Sequence, residues 1–284
     1  MDPDVQESAE TQQSGSALVT AVSCHDIFDL SACQTDSSPL AKGAAFSFIN
    51  AVQAVNQRLV KHNANEMLRF EVILLGKDCE EQIKSKIFDS AKHYGLKIGK
   101  FYFCSRGEFV RTLQANNAKL FLSTDRDDVY GALKAGVPAA LLCQQADQQV
   151  QEQLKVLFSG DLIGLSEDVI DGLKDFGFSA VQIQNFKAAK GCIQEFAALI
   201  GEMRKRFGCK DSPLQTILIT VLGSRDVCAT ALKTLRGWGL DVDEAFCLAG
   251  APRNPILTTI QPHILWDDGL HNMKGVLPLM DMSS

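Results

Sequence analysis

The feature that most constrains the fold is an alternation of short apolar runs with longer segments of helical periodicity. Candidate strands are ALVTAVS, FEVILLG, KFYFCS, KLFLST and PAALLC in the first half, and KVLFSG, TILITVLG, EAFCLAG, HILWDD and VLPLM in the second. Strands that alternate with helices of this length form parallel β-α-β units. Continuously apolar strands are typical of a sheet that is covered on both faces. We therefore predict an α/β fold with mainly parallel sheets.

The two halves of the chain resemble each other. KLFLSTDRDDVYGALKAGVPAALL and HILWDDGLHNMKGVLPLM share the order strand, acidic turn, short helix, Gly-Val and final apolar strand. The offset between the copies is roughly one domain length. We predict a disordered polar tail over 1–16, then two related Rossmann-like lobes over 17–150 and 151–284. The alternative, that any α/β chain resembles itself at this level, stays open.

Composition excludes some classes of function. The net charge of −6 argues against a general nucleic-acid or membrane-surface role, because both need clustered positive charge. No apolar run is long enough for a transmembrane helix. The nine cysteines form no CxxC pair and no His/Cys cluster with metal-ligand spacing. Buried free thiols in a cytoplasmic protein are the expectation.

Polar residues follow four candidate strands of the second half. They are Ser159 and Asp161 in LFSGD, Thr220 after ILI, Arg253 in AGAPRNP, and Asp267 and Asp268 after ILW. Ligands of open parallel sheets bind beyond the carboxyl ends of the strands. Each residue alone has a simpler explanation as a turn residue, a surface cation or a helix cap. Their occurrence together and in this order favours a phosphate-handling site.

This order resembles the haloacid dehalogenase-like phosphatase superfamily and, within it, the cytosolic 5′-nucleotidase I family. ALKTLRGWGLDVDEAFCLAGAPRNPILTTIQPHILWDD is similar to the C-terminal core of that family, and AFSFINAVQAVNQRL, FEVILL and LFLSTDRDDVYGALKAGVPAA match in the first half. The resemblance covers residues 17–275. It implies a cytosolic Mg²⁺-dependent hydrolase that removes phosphate from nucleoside monophosphates, AMP especially.

The resemblance also implies residue roles. In the family a first aspartate attacks phosphorus and a second acts as general acid and base. A threonine and a lysine hold phosphate oxygens, and acidic residues hold Mg²⁺. Carried over, the roles are the nucleophile position for Ser159, the general acid/base for Asp161, phosphate binding for Thr220 and Arg253, and metal binding for Asp161, Asp267 and Asp268.

The chain departs from the family pattern at two of these positions. Ser159 stands where the family has the attacking aspartate, and Arg253 stands where it has lysine. We therefore expect an impaired enzyme that still binds a nucleoside monophosphate or phosphate, with a weakened Mg²⁺ site, or that has a regulatory or scaffold role. The alternatives are an active nucleotidase in which Asp161 activates Ser159, a laboratory substitution at Ser159, and a protein that forms an oligomer with itself or with an active paralogue.

The first half carries weaker signals. Asp125-Arg126-Asp127 resembles the missing acidic motif locally, but we predict the N-terminus of a helix there, where Asp127 and Asp128 favour the positive end of the dipole. Four further polar residues follow strands and could face a cleft between the lobes, although solvated loop positions are the favoured interpretation. These are His25, Asp26, Lys77 and Arg106.

Overall fold

A computed structural model describes residues 17–30, 38–143, 153–207, 212–221 and 225–267 of the 284. Within these residues the chain forms a nine-stranded sheet and a two-stranded sheet, with helices packed around the larger one. Among the helices of these ranges, none combines the length and the hydrophobicity that a membrane span requires. The predicted α/β class with a mainly parallel sheet is confirmed.

The strands alternate with helices along the chain, as the apolar periodicity predicts. The strands are β1 (Leu18–Ser23), β2 (Phe28–Asp29), β3 (Ala41–Lys42), β4 (Phe70–Lys77), β5 (Lys100–Cys104), β6 (Leu120–Ser123), β7 (Ala139–Leu142), β8 (Leu154–Ser159), β9 (Leu214–Thr220), β10 (Glu244–Cys247) and β11 (Ile264–Trp266). The helices are α1 (Cys24–Ile27), α2 (Phe46–His62), α3 (Glu81–His93), α4 (Phe109–Ala115), α5 (Arg126–Lys134), α6 (Asp161–Gly164), α7 (Glu167–Gly172), α8 (Ala180–Arg204), α9 (Arg225–Gly237) and α10 (Asn254–Ile260). Two 3₁₀ turns cover Arg106–Glu108 and Leu173–Phe176.

The order of the strands repeats between the two halves. The large sheet runs β10-β9-β8-β11-β7-β6-β1-β4-β5. The first four strands that each half contributes to this sheet follow one order, in which the fourth lies beside the first, followed by the second and the third: β6-β1-β4-β5 in one half and β11-β8-β9-β10 in the other. Neighbours within each half are parallel. The division of the chain into two related lobes at residue 150 stays a prediction.

The halves join through a single pair of strands among the described residues. β11 is parallel to β8 on one side and antiparallel to β7 on the other, so the strand direction reverses there. His263, the residue before β11, holds this strand to β8, because its backbone N–H donates to Lys155 O at 2.9 Å and its Nδ1 accepts from Lys155 N–H at 3.1 Å. Its carbonyl oxygen accepts from Cys143 N–H at 3.1 Å. The two halves therefore share one continuous sheet.

The core lies on both faces of this sheet. Alternate residues of the strands point to opposite faces, so Leu74 packs in one cluster while Ile73 and Leu75 pack in the other. Helices α2, α3, α8 and α9 cover the first face, and α4, α5 and α10 cover the second. This layered burial explains why the strands are almost continuously apolar.

Local sequence signals fix several helix ends. Asp125 caps α5 by accepting from Asp127 N–H at 2.8 Å, which confirms the predicted helix N-terminus. Ser179 and Gln182 form a capping box at the start of α8. That helix begins at Ala180, well before the segment IQEFAALIGEMRKRFG in which the sequence indicated a helix. The predicted tail over 1–16 and the strand VLPLM lie outside the described residues.

Candidate functional site

Three of the predicted site residues lie at the ends of three adjacent parallel strands. Ser159 ends β8 and pairs with Ile219, the residue before Thr220 at the end of β9. On the other side Phe158 pairs with Trp266, so Asp267 follows the end of β11 at the level of Ser159. Ser159 and Thr220 have no solvent-exposed surface. The sheet order β9-β8-β11 thus brings together residues that are far apart in sequence.

Asp161 joins this group from the first turn of α6. Its side chain is fully buried, and both carboxylate oxygens accept from Val221 N–H, at 3.0 and 3.2 Å. The intervening Gly160 permits the close approach of β8 to β9. A Cβ atom there would lie 2.6 Å from Leu218 Cδ1 and 2.8 Å from Thr220 Cγ2. The glycine of LFSGD is therefore a packing requirement of the site.

Arg253 reaches the site from the turn before α10. Its Nη2 donates to Asp267 Oδ2 at 3.0 Å, and both side chains are largely buried. Its Nη1 is buried and has no hydrogen-bond partner among the residues that the structure describes. A guanidinium group with an uncommitted N–H is suited to an anionic oxygen acceptor. Arg253 is thus both the partner of an acidic residue and a candidate anion ligand.

The first half also contributes a residue that the sequence did not point to. Arg126, the first residue of α5, places Nη1 3.9 Å from Asp267 Oδ2. Its side chain is 62% exposed, so this contact is a weak, solvent-screened attraction. Asp267 therefore lies within reach of two guanidinium groups. The sequence marked Arg126 only as the centre of an acidic tripeptide.

The Cys228 thiol lies beside Thr220 of the site. Burial raises the pKa of the Cys228 thiol on α9, and a hydrogen bond with Thr220 opposes that shift. The thiol is consequently protonated at neutral pH and packs as a small neutral group next to Thr220.

Asp268, the second residue of the predicted acidic pair, lies outside the described residues.

The polar residues of the first half form a group of their own. Asp26 is buried and accepts from the backbone N–H of Thr124 at 3.2 Å and from its hydroxyl group. Lys77 is buried and forms an ion pair with Asp128. The favoured interpretation as solvated loop residues is therefore wrong for Asp26 and Lys77, because both are buried and have a partner in the turn or the helix that follows β6.

His25 and Arg106 agree with the solvated interpretation. Both are exposed at the ends of strands of the first half. Arg106 also uses its backbone N–H to bind Asp78 Oδ1 at 3.1 Å, which fixes the turn after β5 against the turn after β4.

Comparison with known proteins identifies the family of this chain. A family model described as 5′-nucleotidase matches residues 28–281. The chain is 32% identical over 247 residues to cytosolic 5′-nucleotidase 1B of Homo sapiens. The aligned region covers 83% of this chain and 40% of that protein. The chain therefore spans well under half of the length of that relative. No solved structure matches the chain. On the family match and this identity, the chain belongs to the cytosolic 5′-nucleotidase I family.

Proposed function

We propose that this protein is a cytosolic nucleoside monophosphate-binding member of its family whose phosphatase reaction is lost or strongly reduced. The phosphate group would bind at the ends of β8, β9 and β11. The observation that carries the proposal is Ser159, which ends β8 beside Asp161, Thr220 and Asp267. The resemblance to the family supports this interpretation, because it assigns the attacking carboxylate to this position.

The residues around Ser159 support phosphate binding. The Thr220 hydroxyl group donates to Phe246 O at 3.5 Å and would turn from this long contact to donate to a phosphate oxygen. The Nη1 of Arg253 is a buried donor that lacks a partner in the described part of the chain. A bound phosphate would supply the acceptor that this group needs. The predicted lobes over 17–150 and 151–284 would then have different roles. The second lobe would bind the phosphate group, and Arg126 of the first would lie at the edge of the phosphate site.

The donor set fits a magnesium ion that is held by fewer charges than usual. Mg²⁺ prefers oxygen ligands, and Asp161 and Asp267 supply carboxylate oxygens near the serine hydroxyl, with Asp268 next in sequence. Ser159 removes one negative charge from this set, and Arg253 already pairs with Asp267. When bound, the ion would offset the negative charge of the phosphate group. We expect its affinity to be low.

Hydrolysis is disfavoured for two reasons. A serine hydroxyl is a weak nucleophile unless an adjacent base activates it. Asp161 is the nearest candidate base in sequence, but both of its oxygens already accept from Val221 N–H. Because Ser159 and Asp161 are fully buried, the residues that cover them must move before a phosphate group can bind or react there. In a variant that regains the attacking carboxylate, Asp161 would act as the proton donor to the leaving oxygen.

The test is phosphate release from a panel of nucleoside monophosphates with Mg²⁺, for the unchanged chain and for the variants Ser159→Asp and Ser159→Asn. The asparagine matches aspartate in shape but lacks its charge. Loss of a nucleophile typically lowers turnover by about 10⁴- to 10⁶-fold. We expect release from the aspartate variant only.

Each other result has a definite meaning. Release from the unchanged chain would refute the loss of activity and would favour a phosphoserine intermediate. Calorimetry with AMP and Mg²⁺ tests binding separately, and the absence of heat and of thermal stabilisation would refute the binding role. The chain would then be better explained as an interaction partner, and co-purification with an active paralogue would support that view.

A further inference from the structure

Away from the Ser159 group, the fold brings together two thiols and an imidazole. Cys24, His25 and Cys79 each offer a ligand atom, and these atoms all lie within 4.8 Å of one another. Among the described residues no other group of three His, Cys, Asp or Glu side chains has this arrangement. The cysteines are separated by 55 positions in the sequence, so a search for short metal-ligand spacings misses the cluster. The absence of metal-ligand spacing in the sequence therefore does not exclude a cluster in three dimensions.

Two adjacent strands position the sulfur atoms. Cys24 follows the end of β1, and β1 pairs with β4 so that Ser23 lies beside Leu75. After β4 the chain turns at Asp78, whose φ of 51° is in the left-handed region that aspartate tolerates better than most residues. This turn directs Cys79 back over the strand end, where its Sγ lies 3.6 Å from Lys77 O.

A glycine leaves room for this arrangement. A Cβ atom at Gly76 would lie 3.0 Å from Cys79 Sγ and 2.5 Å from a ring carbon of Phe103. The side chain of Cys79 therefore occupies space that any other residue at position 76 would fill. The strand end, the left-handed turn and the missing side chain act together to place Cys79 Sγ opposite Cys24 Sγ.

The separation of the two sulfur atoms suits a tetrahedral metal ion. They lie 3.7 Å apart. Two thiolates about 2.3 Å from one tetrahedral Zn²⁺ ion are separated by about 3.8 Å, so both could bind without moving apart or together. A disulfide bond would require them to approach to about 2.05 Å. Thiolate and imidazole ligands also favour Zn²⁺ over the hard cation Mg²⁺.

The surroundings allow a cation and leave one side open. Cys24 is buried, Cys79 is half-buried and His25 is exposed, so the site lies at the surface with its deepest ligand in the core. The positive charge of the neighbouring Lys77 is offset by its ion pair with Asp128. We propose that Cys24, His25 and Cys79 bind one thiophilic divalent cation of the Zn²⁺ class, with a water molecule in the fourth position.

Cobalt provides a direct spectroscopic test on the full-length reduced chain. Co²⁺ replaces Zn²⁺ in tetrahedral sites, and its bonds to thiolates give an absorption band in the near ultraviolet. We expect one Co²⁺ per chain with this band, displacement by Zn²⁺, and no displacement by Mg²⁺. Zn²⁺ at about 100 times its dissociation constant should also raise the melting temperature by roughly 5 °C.

Three variants locate the site. Cys79→Ser removes a half-buried ligand and His25→Ala an exposed one, so both should fold while losing or weakening the band. Cys104→Ser is the matched control, because Cys104 ends the neighbouring strand β5 but does not belong to the cluster. It should leave the band unchanged. The absence of a band in the unchanged chain, or a band that survives both Cys79→Ser and His25→Ala, would overturn the proposal.

Discussion

His263 predicts that acid weakens the contact between β8 and the start of β11. Its side chain has no exposed surface, and burial lowers its pKa from 6.5 to about 4, with a smaller contribution from the charge of Lys155. Its Nδ1 accepts a backbone hydrogen bond, so the folded state holds the neutral ring. Unfolding exposes the ring and returns its pKa to the ordinary value. Between these two pKa values the unfolded chain therefore binds a proton at His263 that the folded chain does not bind.

The sign and the size of the effect follow from this difference in pKa. Because the pKa is lower in the folded state, the stabilising contribution is complete above pH 6.5 and is lost as the pH falls towards 4. From about pH 7.5 to about pH 5 the free energy of unfolding should fall by about 2 kcal/mol on account of this residue. Below the folded pKa no further loss arises from His263.

Urea denaturation across this pH range measures the effect. His263→Asn retains an acceptor near the position of Nδ1 but cannot titrate, so it should be less stable at neutral pH and should lose this part of the pH dependence. His93→Asn is the control, because His93 is exposed on α3. Equal pH slopes for His263→Asn and the unchanged chain would refute the argument.

Two further predictions concern packing and charge in the core. Asp128→Asn leaves the Lys77 ammonium group buried without its counter-charge and should lower the free energy of unfolding by about 3 to 5 kcal/mol in urea, whereas Asp127→Asn, an exposed neighbour on the same helix, should change it little. A similar loss in both would show that the pair is not the cause. Gly160→Ala forces a Cβ atom into two side chains of β9 and should cost about 1 to 3 kcal/mol and weaken phosphate binding, while Gly172→Ala meets no atom within 4 Å and should not. Equal stabilities of the two alanine variants, measured by thermal unfolding, would contradict the contacts at Gly160.

Much of the fold was predictable because its signals are local. A strand that is buried on both faces must be apolar along its length, and the strand from Leu154 to Ser159 shows this directly in the sequence. The positions of Ser159 and Thr220 at strand ends followed from where those apolar runs stop. The rule that parallel strands end at the same edge of a sheet was then enough to predict that the two residues lie close together.

The remaining features depend on which strands become neighbours, which local patterns do not specify. Asp26 binds Thr124 only because β6 lies beside β1. Arg126 reaches Asp267 only because the two halves join through β7 and β11. Cys24 and Cys79 meet because β4 lies on the other side of β1. In each case a residue with an ordinary surface pattern acquires a partner from a distant segment.

The position of β11 has a consequence for protein synthesis. In the described sheet this late strand separates β8 from β7, and both of these are made earlier. Until Ile264–Trp266 leaves the ribosome, each half has an open strand edge with unpaired backbone groups. Such edges invite pairing with other chains, so the nascent protein should be most prone to aggregate during this interval. A chain that stops before residue 264 would keep both edges open permanently.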